Sequence, residues 1–380
     1  MTLAFVTRMN PFDGGSARAA AFAQSSSTLV AVSNSGTGGY PIVMSSGNNG
    51  VSWTVQDTPY TGVANRVLFD VCYAPSLGLF LAVSGGVSVL NRVQCVLTSP
   101  DAVTWTQQTT GPTVGADAVS LTGCVWSPQL GLFVVSGQII EAGNFPSSFD
   151  ALIMTSPDGI TWTRRTVPSG TAKSCRNGSA WSADLGLFAV AVLDSTVSPT
   201  VASVVTSPTG VTWTARTLDT PTPKSVYAIV WSSFYNKFFL GADAKTSGDR
   251  ALQESSNGTT WADVASPWDG GDLMGIDAHS DTIVATGFTT GDGEVASSDD
   301  GGASWTAAVV PWDLTNDAPR AVIYSDGWVL GGSSSPDSRP TVATEFTAAY
   351  QRIYGWRATI DDNALETIEM LVSPQTGATG

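Results

Sequence analysis

Hydrophobic positions in this chain fall in short runs, most of four to eight residues, cut by Gly, Pro, Ser and Asp, which is the spacing of buried strands rather than of helices. The runs come in pairs. An apolar strand ends at an aromatic residue, a short polar turn follows, and a second apolar strand leaves it. Strong copies read CYAPSLGLFLAVSG (Cys72 to Gly85), VWSPQLGLFVVSG (Val125 to Gly137), AWSADLGLFAVAV (Ala180 to Val192) and VWSSFYNKFFLGA (Val230 to Ala242). Weaker copies lie near Phe22, Ala278 and Tyr324, so Phe22, Tyr73, Trp126, Trp181, Trp231, Ala278 and Tyr324 mark seven repeats.

A second element returns about every fifty residues, and TSPDGITWT (Thr155 to Thr163) is its clearest copy. Others are SSGNNGVSWT (Ser45 to Thr54), TSPDAVTWT (Thr98 to Thr106), TSPTGVTWT (Thr206 to Thr214), ESSNGTTWA (Glu254 to Ala262) and SSDDGGASWT (Ser297 to Thr306), six in all. Each unit therefore reads as four strands: an inner apolar strand, the aromatic turn, a second apolar strand, a variable loop, a third strand, the tryptophan turn and a threonine-rich outer strand. Four-stranded units repeated seven times predict an all-β fold, a seven-bladed β-propeller over residues 1–349. Leu3 to Asn10 takes the slot of an outer strand with no blade of its own, while the last unit reaches only a third strand near Thr341 to Ala349. The N-terminal strand is therefore expected to complete the seventh blade and remove two exposed sheet edges. Beyond Tyr350 the register is lost. QRIYGWRATI is aromatic and basic, and Asp362 before Leu365, Ile368 and Leu371 predicts a short helix near 362–372 in a C-terminal arm, residues 350–380.

The tryptophan turn has a physical logic. In SSDDGGASW, Asp300 is placed to accept amides of its own tight turn, Gly302 supplies a backbone conformation other residues resist, and Trp305 leaves the turn to bury its ring. One buried indole is worth about 4–6 kcal/mol as an upper bound. The turns thus read as staples between strands three and four, with Ser46, Asn48, Trp53, Asp101, Trp105, Asp158, Trp162, Trp213, Trp261, Asp300 and Trp305 in structural roles. They resemble Asp boxes, the S-x-D-x-G-x-x-W repeats of sialidase-type propellers. Ser298, Asp300, Gly302 and Trp305 match fully, Ser46, Asn48, Gly50 and Trp53 match with Asn for Asp, and the other four copies are one residue shorter. The resemblance covers about residues 1–349. It implies a propeller of the kind found in sialidases, xyloglucan-type glycoside hydrolases, photosystem assembly factors, sorting receptors and many bacteriophage virion proteins.

Composition narrows the partners. The 380 residues carry 32 acidic against 17 basic side chains, a net charge of −15, which repels phosphate backbones and anionic lipid, so neither nucleic acid nor membrane is expected as a partner. No apolar run is long enough to span a bilayer, and the N-terminus lacks the pattern of a signal peptide. Cys72, Cys95, Cys124 and Cys175 lie among apolar strand residues without CxxC spacing and read as reduced core thiols.

Candidate chemistry is sparse. Sialidases, which the boxes resemble, use an arginine triad, a Tyr/Glu nucleophilic pair and an aspartic acid/base; this chain lacks the Arg-Ile-Pro segment usual near the first triad arginine. Cations recur where outer strands hand over to inner ones, at Arg18, Arg66, Lys173, Arg176, Lys224 and Arg320, on loops expected to share one face. That collar suits an anionic sugar, or simply pairs with Asp117, Asp219, Asp272 and Asp317. Glycoside hydrolysis needs carboxylates roughly 5–9.5 Å apart. The candidates placed on that face are Asp70, Asp117, Asp269, Asp272, Asp277, Asp313 and Asp317, and Asp277 stands out because it interrupts an apolar inner strand. A lone histidine, His279, disfavours a Ser-His-Asp triad or a histidine-ligated zinc, and phosphate-loop, dinucleotide and zinc-protease motifs are absent, so no metal or cofactor is expected.

Taken together these features predict a non-enzymatic binding propeller of a phage virion, made in the host cytoplasm. Its loops would contact a host-surface glycan or neighbouring subunits, through Arg18, Arg176, Lys224, Arg320 and the long loop bearing Phe145 and Phe149, while the arm would hold other virion or assembly proteins. A sialidase-like glycoside hydrolase using the collar and Asp277, and an assembly factor with a protein client, are the competing readings.

Overall fold

The computed structural model describes residues 5–9, 21–25, 27–34, 41–61, 66–86, 96–108, 118–140, 149–168, 174–194, 201–219, 223, 225–243, 251–268, 270–289, 293–308, 317–324, 327–334, 341–345, 356–358 and 368–370. All regular structure among them is strand. The first strand is β1 (Phe5–Met9), and blade one follows as β2 (Ala21–Gln24), β3 (Leu29–Asn34), β4 (Pro41–Ser46) and β5 (Thr54–Gln56). Blade two is β6 (Arg66–Ala74), β7 (Leu79–Gly86), β8 (Val96–Ser99) and β9 (Thr106–Gln107); blade three is β10 (Ala118–Ser127), β11 (Leu132–Ile140), β12 (Phe149–Ser156) and β13 (Thr163–Arg165). Blade four is β14 (Ser174–Ser182), β15 (Leu187–Asp194), β16 (Val201–Ser207) and β17 (Thr214–Arg216). Blade five is β18 (Val226–Ser232), β19 (Lys237–Ala242), β20 (Leu252–Ser255) and β21 (Ala262–Asp263). Blade six is β22 (Asp272–His279), β23 (Thr282–Phe288), β24 (Gly293–Ser298) and β25 (Thr306–Ala307). The last sheet has β26 (Asp317–Tyr324), β27 (Trp328–Ser334) and β28 (Thr341–Glu345), and its outermost strand is β1, paired antiparallel with β28 from Phe5 opposite Glu345. Blades two and three are joined into one eight-stranded sheet only by Ser120 opposite Gly85.

The inner strands close a ring: β2 touches β6, each inner strand touches the next through β10, β14, β18 and β22 to β26, and β26 touches β2. Stacking explains the sequence pattern. Second strands are covered on both faces, so β15 and β19 are buried almost end to end, whereas the outer strands β5, β13 and β17 are mostly exposed. The core lies between blades, and apolar clusters mix residues of neighbours, as where Val134 and Ile153 of blade three meet Phe188, Val205 and Trp213 of blade four. Antiparallel order puts the turn between strands one and two and the tryptophan turn at the same end of every blade. The remaining connections leave from the opposite end.

Six inner strands share a feature that periodicity does not reveal. Each has a register shift at one place, spanning Leu68/Asp70, Leu121/Gly123, Cys175/Ser179, Val226/Ala228, Leu273/Gly275 and Pro319/Ala321. Such a bulge adds local twist, which lets neighbouring sheets fan around an axis. Of the helix expected over 362–372, only 368–370 lie among the described residues. There Ile368–Met370 is a strand (β30) paired with Trp356–Ala358 (β29), so these backbone groups bond across strands instead of along a helix, in keeping with the β-branched Thr367-Ile368 pair.

Candidate functional site

Two sets of aspartates occupy contrasting places. At the turn face, the Ser298 hydroxyl donates to Asp300 Oδ1 at 2.8 Å and accepts the Gly302 amide at 2.9 Å, while Asp300 accepts the Ser304 amide at 2.9 Å and the Ser304 hydroxyl at 2.6 Å. Asp101 accepts the amides of Val103 and Thr104 at 2.9 and 2.6 Å, and Asp158 those of Ile160 and Thr161 at 2.8 and 2.7 Å. Asn48 and Asn257 do the same work in blades one and five, and Thr209 substitutes in blade four through one longer bond of 3.3 Å from the Val211 amide. Amide donors stabilise the ionised carboxylate. The Thr104 and Val103 amides hold Asp101 down to about 2, and the Ser304 hydroxyl and amide hold Asp300 down to about 2. For Asp158 burial opposes, but the Thr161 and Ile160 amides outweigh it and its pKa is lowered.

The tryptophans reach further than their own blade. Trp53, Trp105 and Trp213 donate the indole N–H to the carbonyl three residues earlier, at 3.0, 3.3 and 3.2 Å, as Trp162 does at 3.3 Å. Trp305 instead donates to Ala265 in blade five at 3.0 Å. Their rings pack on the preceding blade: Trp105 joins Val30 and Val43 of blade one, and Trp261 joins Ala202 and Val204 of blade four. The staple is thus between blades as well as between strands three and four.

The inner strands hold the second set. Asp277, the carboxylate the sequence singles out for catalysis, is close to the turn end of β22, two residues before His279, and not at the opposite end with the predicted cationic collar. Its Oδ1 accepts the Ala278 amide at 2.9 Å and its Oδ2 accepts the Tyr324 amide of the next inner strand at 3.1 Å. Asp70 repeats the arrangement four blades away, accepting its own neighbour Val71 at 2.9 Å and Cys124 of the next inner strand at 2.8 Å. Both carboxylates therefore latch adjacent blades. Burial raises Asp70 to about 7 and Asp277 to about 6, against the lowering effect of the amides they accept. Beside Asp277, the His279 and Tyr324 rings stack across the blade boundary with centroids 3.6 Å apart and planes 6° from parallel. This replaces the aromatic pair found within other blades, such as Trp126 with Phe133 at 4.5 Å. Cys124 and Cys175 are buried and free, each thiol donating at 3.6 Å to a carbonyl of the preceding blade, Leu81 and Leu152, and burial pushes the Cys175 thiol up to about 12.

Of the predicted ligand-binding residues, Arg18, Lys224 and Phe145 lie outside the described residues; Arg176, Arg320 and Phe149 have backbone places in β14, β26 and β12. Arg176 and Arg320 fall at the bulges of their strands. Asp272 and Asp317 open β22 and β26 at the end opposite the turns, and Asp117, Asp269 and Asp313 lie outside the described residues. Among the described residues, no group of three or more His, Cys, Asp or Glu side chains is arranged to hold a metal ion. No helix in them is long and apolar enough to cross a membrane. Asp70 carried an unused signal: three residues before each aromatic mark the other repeats have only Gly or Ala, at Ala19, Gly123, Gly178, Ala228, Gly275 and Ala321.

No family model matches the chain, and no curated protein matches it. Solved structures do. YCF48 bound to D1 peptide is 12% identical, with 92% of this chain and 97% of that one covered at a TM-score of 0.58. Phage phi92 endosialidase is 10% identical over 100% of this chain and 76% of its own, with a TM-score of 0.53. A Trypanosoma rangeli sialidase in complex with sialic acid is 12% identical over 92% and 58%, with a TM-score of 0.51. At such identities the likeness is one of fold, a sialidase-type β-propeller shared by hydrolases and by a peptide-holding protein.

Proposed function

We propose that the chain is a non-enzymatic binding and structural propeller of a bacteriophage virion, whose variable loops contact a host-surface glycan or neighbouring virion subunits. The observation that carries the non-enzymatic part is the engagement of Asp277, whose two oxygens accept backbone amides of adjacent inner strands, at the end of the blade away from the predicted collar. A general acid or nucleophile needs a carboxyl oxygen facing substrate, with a second carboxylate roughly 5–9.5 Å away. Asp277 is instead built into the frame. The virion placement draws on the Asp-box repeats and on the phage endosialidase, which has the same fold on a phage. YCF48 bound to D1 peptide adds that this fold also holds a peptide.

The test is turnover and binding by the full chain on sialosides, xyloglucan and bacterial surface polysaccharides, with Asp277→Asn alongside. The reading expects no turnover by either protein and saturable binding to a glycan or to an isolated virion subunit. Turnover by the native chain that Asp277→Asn abolishes would establish the hydrolase reading instead.

A further inference from the structure

Among the described residues, exposed large aliphatic and aromatic side chains recur at fixed places in the turns. Val51, Val103, Ile160 and Val211 take the same position in four tryptophan turns, two residues before the indole, and Leu77, Leu130, Leu185 and Phe234 stand in the aromatic turns of blades two to five. Eight of the ten exposed large hydrophobics among the described residues thus lie on the turn face, with Val103 52% and Phe234 60% exposed. Single exposed apolar residues are ordinary; a set repeated at the same turn position in successive blades marks a surface that a partner covers.

The charge on that face says what the partner is. The described turns contain Asp101, Asp158, Asp184, Asp281, Asp299 and Asp300 and no lysine or arginine. The adjoining cation, Lys237 at the start of β19, is paired with Glu254 at 2.7 Å. Arg164, Arg165 and Arg216 stand on the outer strands, where Arg165 and Arg216 donate to the hydroxyls of Thr155 and Thr206. The Thr104 and Val103 amides keep Asp101 ionised throughout the neutral range, and the Ser304 hydroxyl and amide keep Asp300 so. A second copy of the same face would bring aspartates against aspartates, and nucleic acid or anionic lipid would be repelled. Aliphatic side chains with acceptor-only carboxylates complement cations and apolar groups together.

We propose that the turn face is a docking surface for a basic protein segment that also presents apolar side chains. It lies at the opposite end of the blades from the variable loops and does not depend on what those loops bind. Val103, Ile160 and Val211 cover the apolar part of the segment, and Asp184, Asp281 and Asp299 meet its cations.

The probe is a set of three fluorescent peptides of equal length: Lys with Leu, Glu with Leu, and Lys with Ser. Each is titrated by anisotropy into the full chain, into the triple variant Val103→Ser/Ile160→Ser/Val211→Ser, and into a control carrying Val55→Ser/Val201→Ser, which are exposed but off this face. All five sites are at the surface, and circular dichroism melts check that the folds match. The proposal expects saturable binding of the Lys/Leu peptide alone, weakened about tenfold or more by the triple variant and by added salt, and unchanged in the control. Equal binding of the Glu/Leu or the Lys/Ser peptide, equal loss in the control, or no binding at all would overturn it. A photocrosslinking residue at Ile160 in the full chain identifies other occupants: a link to residues 346–380 of the same chain, or to a second copy, would also overturn the foreign-segment assignment.

Discussion

The aspartates of the turn face and those of the inner strands are the same residue in opposite roles. Asp101 and Asp300 are exposed, accept donors within four residues, and hold their pKa near 2. Asp70 and Asp277 are part-buried, each accepts one amide from its own strand and one from a strand about fifty residues on, and burial raises them to about 7 and 6. At the exposed turns the donors stabilise the ionised carboxylate and lower its pKa; between blades the amides still favour the charge, but burial outweighs them and raises it. The first kind organises a turn, and the second joins sheets.

The largest effect expected on either side of this contrast comes from the indole of the turn, not its carboxylate. Trp213→Ala should cost about 3–5 kcal/mol by urea denaturation, because the ring fills the boundary between blades three and four. Asp70→Ala strands the amides of Val71 and Cys124 and should cost about 2–3 kcal/mol; a loss under about 0.5 would mean that the latch contributes nothing. Gly210→Ala should cost about 1–2 kcal/mol, since its φ is 72° and a Cβ would sit 2.8 Å from Leu132 Cδ2. Gly47→Ala, with open space around the same atom, should stay within about 0.5 kcal/mol of the native chain.

Changing the pH sharpens the contrast in a different way. The folded chain keeps protons on Asp70 up to about 7 and on Asp277 up to about 6, while unfolded aspartates lose theirs near 3.8. Between those limits the native state binds more protons, so stability falls as pH rises from about 4 to 7. Asp101 and Asp300 act in reverse: their stabilisation is present above about 4 and is lost as pH falls toward 2. Thermal melts should therefore peak near about pH 4 and decline on both sides. Asp70→Asn should flatten the upper limb and leave the acid limb in place.

What the sequence disclosed follows the same division. The Ser46, Asn48 and Trp53 turn and its relatives are legible because every donor and acceptor lies within one short segment at fixed spacing. The closing of the last sheet by Phe5–Met9 is legible from counting repeats. The latches are not, because the partner amides of Asp70 and Asp277 lie 54 and 47 residues away, and only the stacking of blades brings them together. The arm misled for a related reason. Leu365, Ile368 and Leu371 have helical spacing, yet Ile368–Met370 finds its hydrogen bonds in an antiparallel pairing with Trp356–Ala358, which spacing cannot report.

Asp277 belongs to the frame through the Ala278 and Tyr324 amides it accepts. Urea denaturation of the full chain and of Asp277→Ala at pH 5, below the raised pKa of about 6, measures this. A latch predicts a loss of about 2 kcal/mol, from the stranded Tyr324 and Ala278 amides. A catalytic carboxylate is commonly held at a cost to the fold, so unchanged or increased stability on its removal would contradict the account and return Asp277 to the chemistry of a hydrolase.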